Sequence, residues 1–472
     1  MQRERRLVIS ILVAMIVMCS CAVAEDKGRL SVQAPTAYKE LGNWKPSEPG
    51  DQLSRGKWWE RFNDPELNRL EESLNISNQN VAAAIANVEA ARAIVRQSRS
   101  QYFPLVTAGP SFTRSRQQFV FSNTPISVTN STYAATVDAS WEPDVFGRVR
   151  AAVRVGKYGL QVNIADLQNV RLSAQAELAV DYFALRTQDN LQQILDATVT
   201  SYQEALDVAR ARYTAGLDSD EAVAQAETQL DTTRAQAVNV GVLRAQYEHA
   251  IAVLIGQGPS NFALAPQVIA LTPPAVPVGV PSELLERRPD IAAEERAVMQ
   301  ANAQVGLAKK AFFPTLLLTA SGGFQSTSAA DWFNWPSRVW SVGTSLAETI
   351  FDGGSRRATV QQSQAAYQAT VANYRQTVLT AFQQVEDNLA AVRILSDVIH
   401  EQDSAVESAR RTLGEADVRY RSGIDPYLNV ITAQTAFLTA QESALTYRQQ
   451  QITSSVQLIN ALGGGWDVSQ LH

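Results

Sequence analysis

Acidic side chains follow two Tyr-x-x-Gly turns in this 472-residue chain, close to Gly216 and Gly423. The acids nearest these glycines are Asp218, Asp220, Glu221 and Asp425. Carboxylates that face one pore in symmetry-related copies form a ring, and such a ring attracts cations and repels anions. The alternative is a charged turn that is simply solvated. These four acids are therefore candidate pore acids if copies of the chain surround a pore, and a plain surface role stays open.

The turns themselves have a structural explanation. Gly216 and Gly423 are expected to adopt the left-handed backbone conformation where one helix ends and the next begins. Tyr213 and Tyr420 stand three residues before them, and each follows an arginine. We expect both tyrosines to pack the turns. Glu227, in the helix after the first turn, is expected to make a polar contact between helices.

Other binding or catalytic chemistry has little support. The three histidines are far apart and show no metal-ligand spacing: His249, His400 and His472. No GxSxG, HExxH or phosphate-loop pattern is present, so neither an enzyme nor a cofactor is predicted. The net charge of -6 does not favour nucleic-acid binding.

The first residues predict a secretion signal, residues 1–20, because a basic segment precedes an apolar core. Two processing sites compete. Cleavage after Ala24 fits the small-x-small pattern, whereas Cys21 fits lipoprotein processing, which leaves a cysteine with N-palmitoyl and S-diacylglycerol groups at the new N-terminus. Both cysteines, Cys19 and Cys21, lie in this region. The mature chain is therefore expected to leave the cytoplasm and to have no disulfide.

The order of motifs is repeated in the two halves of the chain. Tyr213 and Tyr420 are 207 residues apart, as are Gly216 and Gly423. Each half reads as a helix, two strands, a very long helix, the Tyr-x-x-Gly turn and a second long helix, which predicts an internal duplication. The predicted divisions are an N-terminal segment 21–64, a first repeat 65–262, a Pro-rich linker 263–281, a second repeat 282–462 and a tail 463–472.

Two segments without Gly or Pro, 160–215 and 355–413, predict helices of unusual length. At 1.5 Å per residue they would extend roughly 80 to 90 Å. Such helices must bury an apolar stripe against other long helices. The first stripe is Leu172, Ala176, Ala179, Phe183 and Arg186, and the second is Leu379, Phe382, Val385, Leu389 and Val392. The expected fold class is mixed α and β, predominantly α.

Four segments alternate apolar and polar residues with the two-residue period of a strand: 105–121, 131–141, 315–326 and 338–350. This alternation suits a membrane barrel with a water-filled lumen, although a soluble sandwich has the same pattern. Trp332, Trp335 and Trp340 suit a membrane-interface belt. Trp58 and Trp59 are instead expected to pack near the N-terminal segment.

The number of strands constrains the assembly. Outer-membrane barrels have eight or more strands, and an open sheet edge in lipid leaves backbone groups without hydrogen bonds. Four strands are therefore too few. If these strands enter a membrane, several chains must share one barrel, and three copies in a closed ring would supply twelve strands.

Five segments, which lie along nearly the whole mature chain, carry a family resemblance. They are CAVAEDKGRL from Cys21, RGKWWERFNDPELNRLEESLNISNQNVAAA from Arg55, RPDIAAEERAVMQANAQVGLAKKAFFP from Arg288, FDGGSRRA from Phe351 and ALGGGW ending at Trp466. Together they resemble the TolC-like outer-membrane efflux proteins, and among these the NodT/OprM-type lipoprotein branch. The resemblance implies that Cys21 is the lipidated cysteine.

The resemblance also implies a homotrimer in the bacterial outer membrane. Its twelve-stranded β-barrel would continue into a long periplasmic α-helical barrel. Drugs or other small amphiphiles would pass through without chemistry, supplied by an inner-membrane transporter of the RND type through a periplasmic adaptor. The turns at Gly216 and Gly423 would be hairpin tips that dock the adaptor, and Tyr213 and Tyr420 would brace the closed state through hydrogen bonds between chains.

The chain departs from the family pattern near the second turn. Asn429 and Thr432 stand where some relatives carry gating aspartates, so any carboxylate ring must use other positions. Two alternative functions stay open. One is a structural lipoprotein that spans the periplasm without conducting, and the other is an exit channel for a type I protein or oligosaccharide exporter.

Overall fold

The computed structural model describes residues 38–41, 56–121, 124–274 and 287–466. The predicted signal sequence and Cys21 lie outside these residues. So do most of the N-terminal segment, the end of the Pro-rich linker and the last residues of the tail.

The two halves of the chain have the same order of elements. The first contains α1 (Pro65–Ser77), α2 (Gln79–Ser100), β1 (Leu105–Phe121), β2 (Thr124–Trp141), α3 (Arg148–Thr214) and α4 (Asp220–Leu254). The second contains α5 (Pro289–Lys310), β3 (Thr315–Ser326), β4 (Arg338–Ala347), α6 (Ser355–Arg421) and α7 (Tyr427–Ala461). A short 3-10 helix before α1 buries Trp58 and Trp59 in the core. Among the described residues, no helix combines the length and the apolar character needed to cross a membrane.

Corresponding helices have equal lengths, since α3 and α6 each contain 67 residues and α4 and α7 each contain 35. The two long helices extend about 100 Å. They are longer than predicted because glycine does not end them. A Cβ at Gly156 would lie 3.5 Å from Val95 of α2, and one at Gly159 would lie 2.8 Å from Gln300 of α5. A Cβ at Gly156 would thus make an ordinary contact, whereas one at Gly159 would require the Gln300 side chain to move.

The apolar stripes explain how the long helices pack. The first is confirmed, because all five of its residues are buried: Leu172, Ala176, Ala179, Phe183 and Arg186. The second is wrong at its first position. Leu379 is 56% exposed, whereas its neighbour Val378 is fully buried. Successive helix residues point about 100° apart, so a shift of one position moves a side chain off the buried side of α6.

The strands form one antiparallel sheet in the order β1-β2-β3-β4. The bounds of β1 and β3 are as predicted, whereas β4 ends at Ala347 rather than at 350. β2 begins at Thr124 rather than at 131, and residues 124–132 pair only with β1. The open side of this part accommodates Pro125, which has no N–H for a second ladder. In the described chain, β1 and β4 each have one edge without a strand partner.

The register gives the sheet one polar and one apolar face, because directly opposed residues in antiparallel strands share a face. One row across all four strands is polar: Thr107, Asp138, Ser321 and Ser341. The next row, on the other face, contains Ala108, Val137, Gly322 and Trp340. The predicted alternation is therefore present. We call these two sides the polar face and the apolar face.

A buried network attaches the linker to the middle of α3. Asp189 accepts hydrogen bonds from Arg186 at 2.9 Å, from Arg244 at 2.7 Å and from the backbone N–H of Gln267 at 2.9 Å. Arg186 also donates to the carbonyl of Ala265. The side chains of Arg186 and Asp189 are each only 2% exposed. We call Arg186, Asp189 and Arg244 the linker clamp.

Candidate functional site at the hairpin tips

Helices α3 and α4 form one hairpin, and α6 and α7 form another. The first tip, residues 212–221, and the second tip, residues 419–428, have the same backbone. Gly216 has φ 73° and Gly423 has φ 75°, so both occupy the predicted left-handed region. In each tip the glycine N–H donates to the tyrosine carbonyl, and the following N–H donates to the arginine carbonyl, all at 2.9 Å. These bonds satisfy carbonyls at the helix ends.

Each tip contains an ion pair between its arginine and an aspartate six residues later. In the first tip, Arg212 Nε lies 3.4 Å from Asp218 Oδ2. In the second, Arg419 donates to both oxygens of Asp425, at 2.7 and 3.2 Å. The hydrogen bond from Arg419 lowers the pKa of Asp425. Both aspartates are therefore ionised near neutral pH and are engaged within the tip.

The two tyrosines occupy different environments. Tyr420 is buried, and its hydroxyl donates to Asp218 Oδ2 at 2.6 Å. Its ring lies 4.9 Å from the Arg212 guanidinium carbon and 5.0 Å from the ring of Tyr427. Tyr213 is 48% exposed, and its hydroxyl forms no hydrogen bond with the described residues. One tyrosine thus joins the second tip to the first, whereas the other is available at the surface.

The contacts of Asp218 determine its ionisation. Burial would raise the pKa of Asp218, but hydrogen bonds from Tyr420, from the Ser219 N–H and from Arg212 outweigh burial and lower it. Burial raises the pKa of Tyr420, and the Asp218 carboxylate adds to this effect. The proton therefore stays on the tyrosine and the charge on the aspartate.

The four predicted pore acids divide into two groups. Asp218 and Asp425 are held in the arginine pairs, whereas Asp220 and Glu221 are exposed in the first turn of α4. Acidic residues at a helix N-terminus interact favourably with the helix dipole. Glu227 was predicted to make a polar contact between helices. It accepts a hydrogen bond from Arg210 of α3 at 2.6 Å, so this contact is confirmed.

The neutral residues near the second tip are also at the surface. Asn429 and Thr432 are exposed on α7, and the Thr432 hydroxyl donates to the Leu428 carbonyl of its own helix. Asn429 donates a hydrogen bond that helps to lower the pKa of Asp425. These two residues therefore place no carboxylate near the second tip.

An apolar cluster beneath the tips joins all four hairpin helices. Its buried members include Tyr202, Leu206, Val223, Leu230, Tyr420, Tyr427 and Val430. Sequence reasoning missed Tyr427 and the arginine partners of the two aspartates. The signal was available, because Arg and Asp recur six residues apart in both halves, at 212 and 218 and at 419 and 425.

The aromatic residues of the predicted belt lie beside the sheet. Trp332 stacks on Phe333 and also contacts Tyr133, with ring centroids 4.9 and 5.7 Å apart. Trp335 and Trp340 are 72% and 80% exposed. Large exposed aromatic surfaces beside an apolar sheet face are typical of a membrane interface.

Long helical hairpins joined to a sheet with one apolar face define a membrane-attached channel component rather than an enzyme. The family model for outer membrane efflux proteins matches residues 70–257 and 280–464. The chain belongs to this family. It is the outer-membrane channel component of an efflux system, and it extends from the outer membrane into the periplasm.

Individual relatives agree with this assignment. The solvent efflux pump outer membrane protein SrpC of Pseudomonas putida is 32% identical over 466 residues, which cover 97% of this chain and 98% of the relative. The pyoverdine export outer membrane protein OpmQ of Pseudomonas aeruginosa is 29% identical over 469 residues and 97% of each chain. The structure of the outer-membrane channel OprN has a TM-score of 0.85 at 29% identity, covering 93% of this chain and 98% of that one.

Proposed function

We propose that three copies of this chain form a passive exit channel through the outer membrane. The observation that carries this proposal is the sheet, which has an apolar face and two edge strands without partners in the described chain. Lipid offers no hydrogen bonds to an open edge, so a sheet of four strands cannot enter the membrane alone. Pairing of β4 with β1 of the next chain closes a barrel of twelve strands, continuous with a tunnel of twelve helices. The equal halves further suggest an internal duplication.

The hairpin tips would then form the periplasmic mouth. The 207-residue offset relates Tyr213 to Tyr420 and Asp425 to Asp218. Within the chain, Tyr420 of the second tip binds Asp218 of the first. In a ring of six similar hairpins, the corresponding bond runs from Tyr213 to Asp425 of the neighbouring chain. The exposure of Tyr213 supports this bond, which would brace the closed mouth together with the arginine pairs.

The same tips would dock a periplasmic adaptor that connects the channel to an inner-membrane transporter, of the RND type on our proposal. Leu217 and Ile424 follow the two tip glycines and are 68% and 65% exposed. Repeated around a ring of six tips, these side chains would form an apolar surface of the kind that marks a binding site. Leu217→Glu with Ile424→Glu is expected to abolish chemical crosslinking of the tips to the adaptor in cells while trimers persist. Unchanged crosslinking would contradict docking at the tips.

The proposed cargo is a small amphiphilic compound, such as a drug or a solvent. The relatives SrpC and OpmQ are named for solvent efflux and for pyoverdine export, and these two cargoes are chemically unlike. Selectivity for cargo is therefore assigned to the transporter. We further propose that Cys21 is acylated and anchors the chain, and mass spectrometry of the mature N-terminus tests this directly.

Conductance tests the channel. In planar bilayers, Asp218→Asn combined with Asp425→Asn is expected to raise single-trimer conductance several-fold, because it removes the bonds that hold the mouth closed. Asp231→Asn, at an exposed position on α4, is the matched control and is expected to behave as wild type. A well-folded double variant that stays silent would favour a structural envelope protein instead.

Deletion of the gene tests the cargo. Loss of the channel is expected to increase susceptibility to several toxic amphiphiles of differing structure. Unchanged susceptibility to all of them, combined with a defect in secreted protein or polysaccharide, would point to an exporter of large molecules.

A further inference from the structure

Arginine side chains continue the apolar face of β1 beyond its aromatic residues. Val106, Ala108 and Phe112 lie on that face, and Arg114 and Arg116 follow at the same two-residue spacing. In the register, Phe112 is opposite Tyr133, Arg114 is opposite Ser131 and Arg116 is opposite Thr129. The two arginines therefore point to the same side of the sheet as the membrane-facing residues.

The height of these arginines matches the edge of a membrane. Along the apolar face of β2, Trp141 and Tyr133 are eight residues apart, about 27 Å of strand. With the usual barrel tilt this corresponds to roughly 20 Å, close to the apolar band of an outer-membrane barrel. Phe112, Tyr133 and Trp332 form a continuous aromatic group, with ring centroids 4.8 and 5.7 Å apart. Arg114 lies one row beyond this group, at the end of the sheet away from the helices.

The electrostatic surroundings leave these arginines uncompensated. Both side chains are exposed, and neither guanidinium forms a hydrogen bond or an ion pair with any residue that the structure describes. Strands β1 and β2 contain a single acidic residue, Asp138, which belongs to the polar face near the opposite end. Two cationic groups thus remain at a membrane boundary without an acidic partner from their own strands.

A third arginine lies on the same face of β4. Arg338 is opposite Phe324, in the row that also contains Ala135 and Pro110. Its guanidinium carbon lies 3.1 Å from the ring centroid of Trp335, and its Nε donates to the Trp335 carbonyl at 3.0 Å. Stacking on an aromatic ring fixes the guanidinium plane and leaves its other N–H groups free to bind.

We propose that Arg114, Arg116 and Arg338 bind the phosphate groups of a lipid in the outer leaflet. The planar guanidinium forms two parallel hydrogen bonds with a phosphate, and the neighbouring aromatic group contacts the first part of the acyl chains. This site rests on the proposed trimer, because closure of the barrel brings β4 of one chain beside β1 of the next. It then repeats three times around the barrel.

Binding to lipid A tests the site. Delipidated trimers of the full protein in detergent are titrated with bisphosphorylated lipid A, and bound lipid is counted by native mass spectrometry. Each basic residue at an anionic membrane surface contributes about fivefold, so Arg114→Gln with Arg116→Gln is expected to weaken binding about 30-fold. Arg114→Lys with Arg116→Lys retains the charge and is expected to lose less than the glutamine pair.

Matched controls separate this site from general charge effects. Gln117→Ala changes the polar face of the same strand, and Arg150→Gln removes an exposed arginine at the helix end of the sheet. Both are expected to bind lipid A as wild type. Lipid A without phosphates is expected to bind wild type at least as weakly as the glutamine pair binds the phosphorylated lipid, because that pair retains Arg338. Inorganic phosphate alone is expected not to remain bound.

Two results would overturn the site: equal lipid A binding by wild type and the glutamine pair, or equal binding of phosphorylated and dephosphorylated lipid. Conductance and trimer mass measured on the same preparations distinguish these failures from failure of the channel itself. A trimer that conducts but binds phosphorylated and dephosphorylated lipid A equally contradicts only the lipid site. A chain that never forms trimers contradicts the proposed function.

Discussion

The linker clamp and the second tip use the same chemistry in opposite surroundings. In the clamp, Arg186 and Asp189 are 2.9 Å apart and each 2% exposed. In the second tip, Arg419 and Asp425 are 2.7 Å apart but 52% and 21% exposed. Breaking a buried pair costs about 3 to 5 kcal/mol, whereas an exposed pair is worth about 0 to 1 kcal/mol. The chain is therefore fixed near the middle of its long helices and readily rearranged at its tips.

The clamp provides the largest predicted effect. Asp189→Ala removes the acceptor of two arginines and leaves Arg186 charged and buried, so the protein is expected to lose about 3 to 5 kcal/mol of stability. Urea unfolding followed by circular dichroism measures this loss. Asp231→Ala removes an exposed acid, 74% accessible, and is expected to change stability by less than 1 kcal/mol. Equal losses in the two variants would remove the contrast between the regions.

Helix α1 contains a buried acid that, unlike Asp189, has no partner in the described structure. Glu71 of α1 is fully buried, neither carboxylate oxygen has a hydrogen-bond partner in the described structure, and burial raises its pKa well above 4.5. The folded protein therefore holds a proton that the unfolded chain releases, and stability falls as pH rises above about 4.5. Because glutamine does not titrate, Glu71→Gln removes this fall in stability with pH. The substitution is expected to stabilise the protein by about 1 to 3 kcal/mol at pH 8.

The pH dependence separates this effect from simple repacking. The gain from Glu71→Gln is expected to shrink as pH falls toward 4.5, where wild type is protonated in both states. Glu72 pairs with Lys57 and is 57% exposed, so Glu72→Gln is the control and is expected to show no such gain. A gain that is the same at pH 4.5 and pH 8 would contradict a titrating Glu71.

At the tips, Tyr420→Phe removes only the hydroxyl that binds Asp218. One hydrogen bond is worth about 1 kcal/mol, so the open probability of the channel in bilayers is expected to rise about fivefold. Tyr213→Phe is expected to have the same effect if the corresponding bond forms between chains. Because the pKa of Asp218 is lowered, the bond persists above the ordinary carboxyl pKa of 3.8 and is lost only below it. Wild-type behaviour of Tyr420→Phe would show that this bond does not hold the mouth.

The smallest effect is expected at the exposed pair. Arg419→Gln is expected to change stability by less than 1 kcal/mol, and the change is expected to vanish in about 1 M salt because screening already weakens the pair. Chemical denaturation at low and high salt measures it. A loss as large as that of Asp189→Ala would mean that contacts outside the described chain bury the tip.

Much of the fold could be predicted because its patterns are local. The strand alternation gave the bounds of β1 and β3, and the repeated motifs gave the order of elements. The prediction of helix ends was wrong at two glycines, because Gly156 and Gly159 lie inside α3, where neighbouring helices pack against them, and not in a turn. The early start of β2 was also not predicted, since residues 124–130 include Pro125 and pair with β1 on one side only.

The candidate site was predictable in position but not in its contacts. The tip glycines and nearby acids follow from spacing in the sequence. The bond from Tyr420 to Asp218 joins residues from different hairpins, and no local pattern specifies which hairpins are neighbours. For the same reason the different environments of Tyr213 and Tyr420 appear only in the structure, although the two residues occupy corresponding positions.

The unpaired edges of β1 and β4 in the described chain determine whether assembly or membrane insertion comes first. A solitary subunit presents unpaired backbone groups to any strand it meets, and such edges are prone to wrong pairing. In the proposed trimer, association with other subunits would therefore precede entry into lipid. The rate of insertion would then depend on subunit concentration, and a shortage of newly secreted chains would leave unassembled subunits in the periplasm rather than partly formed pores.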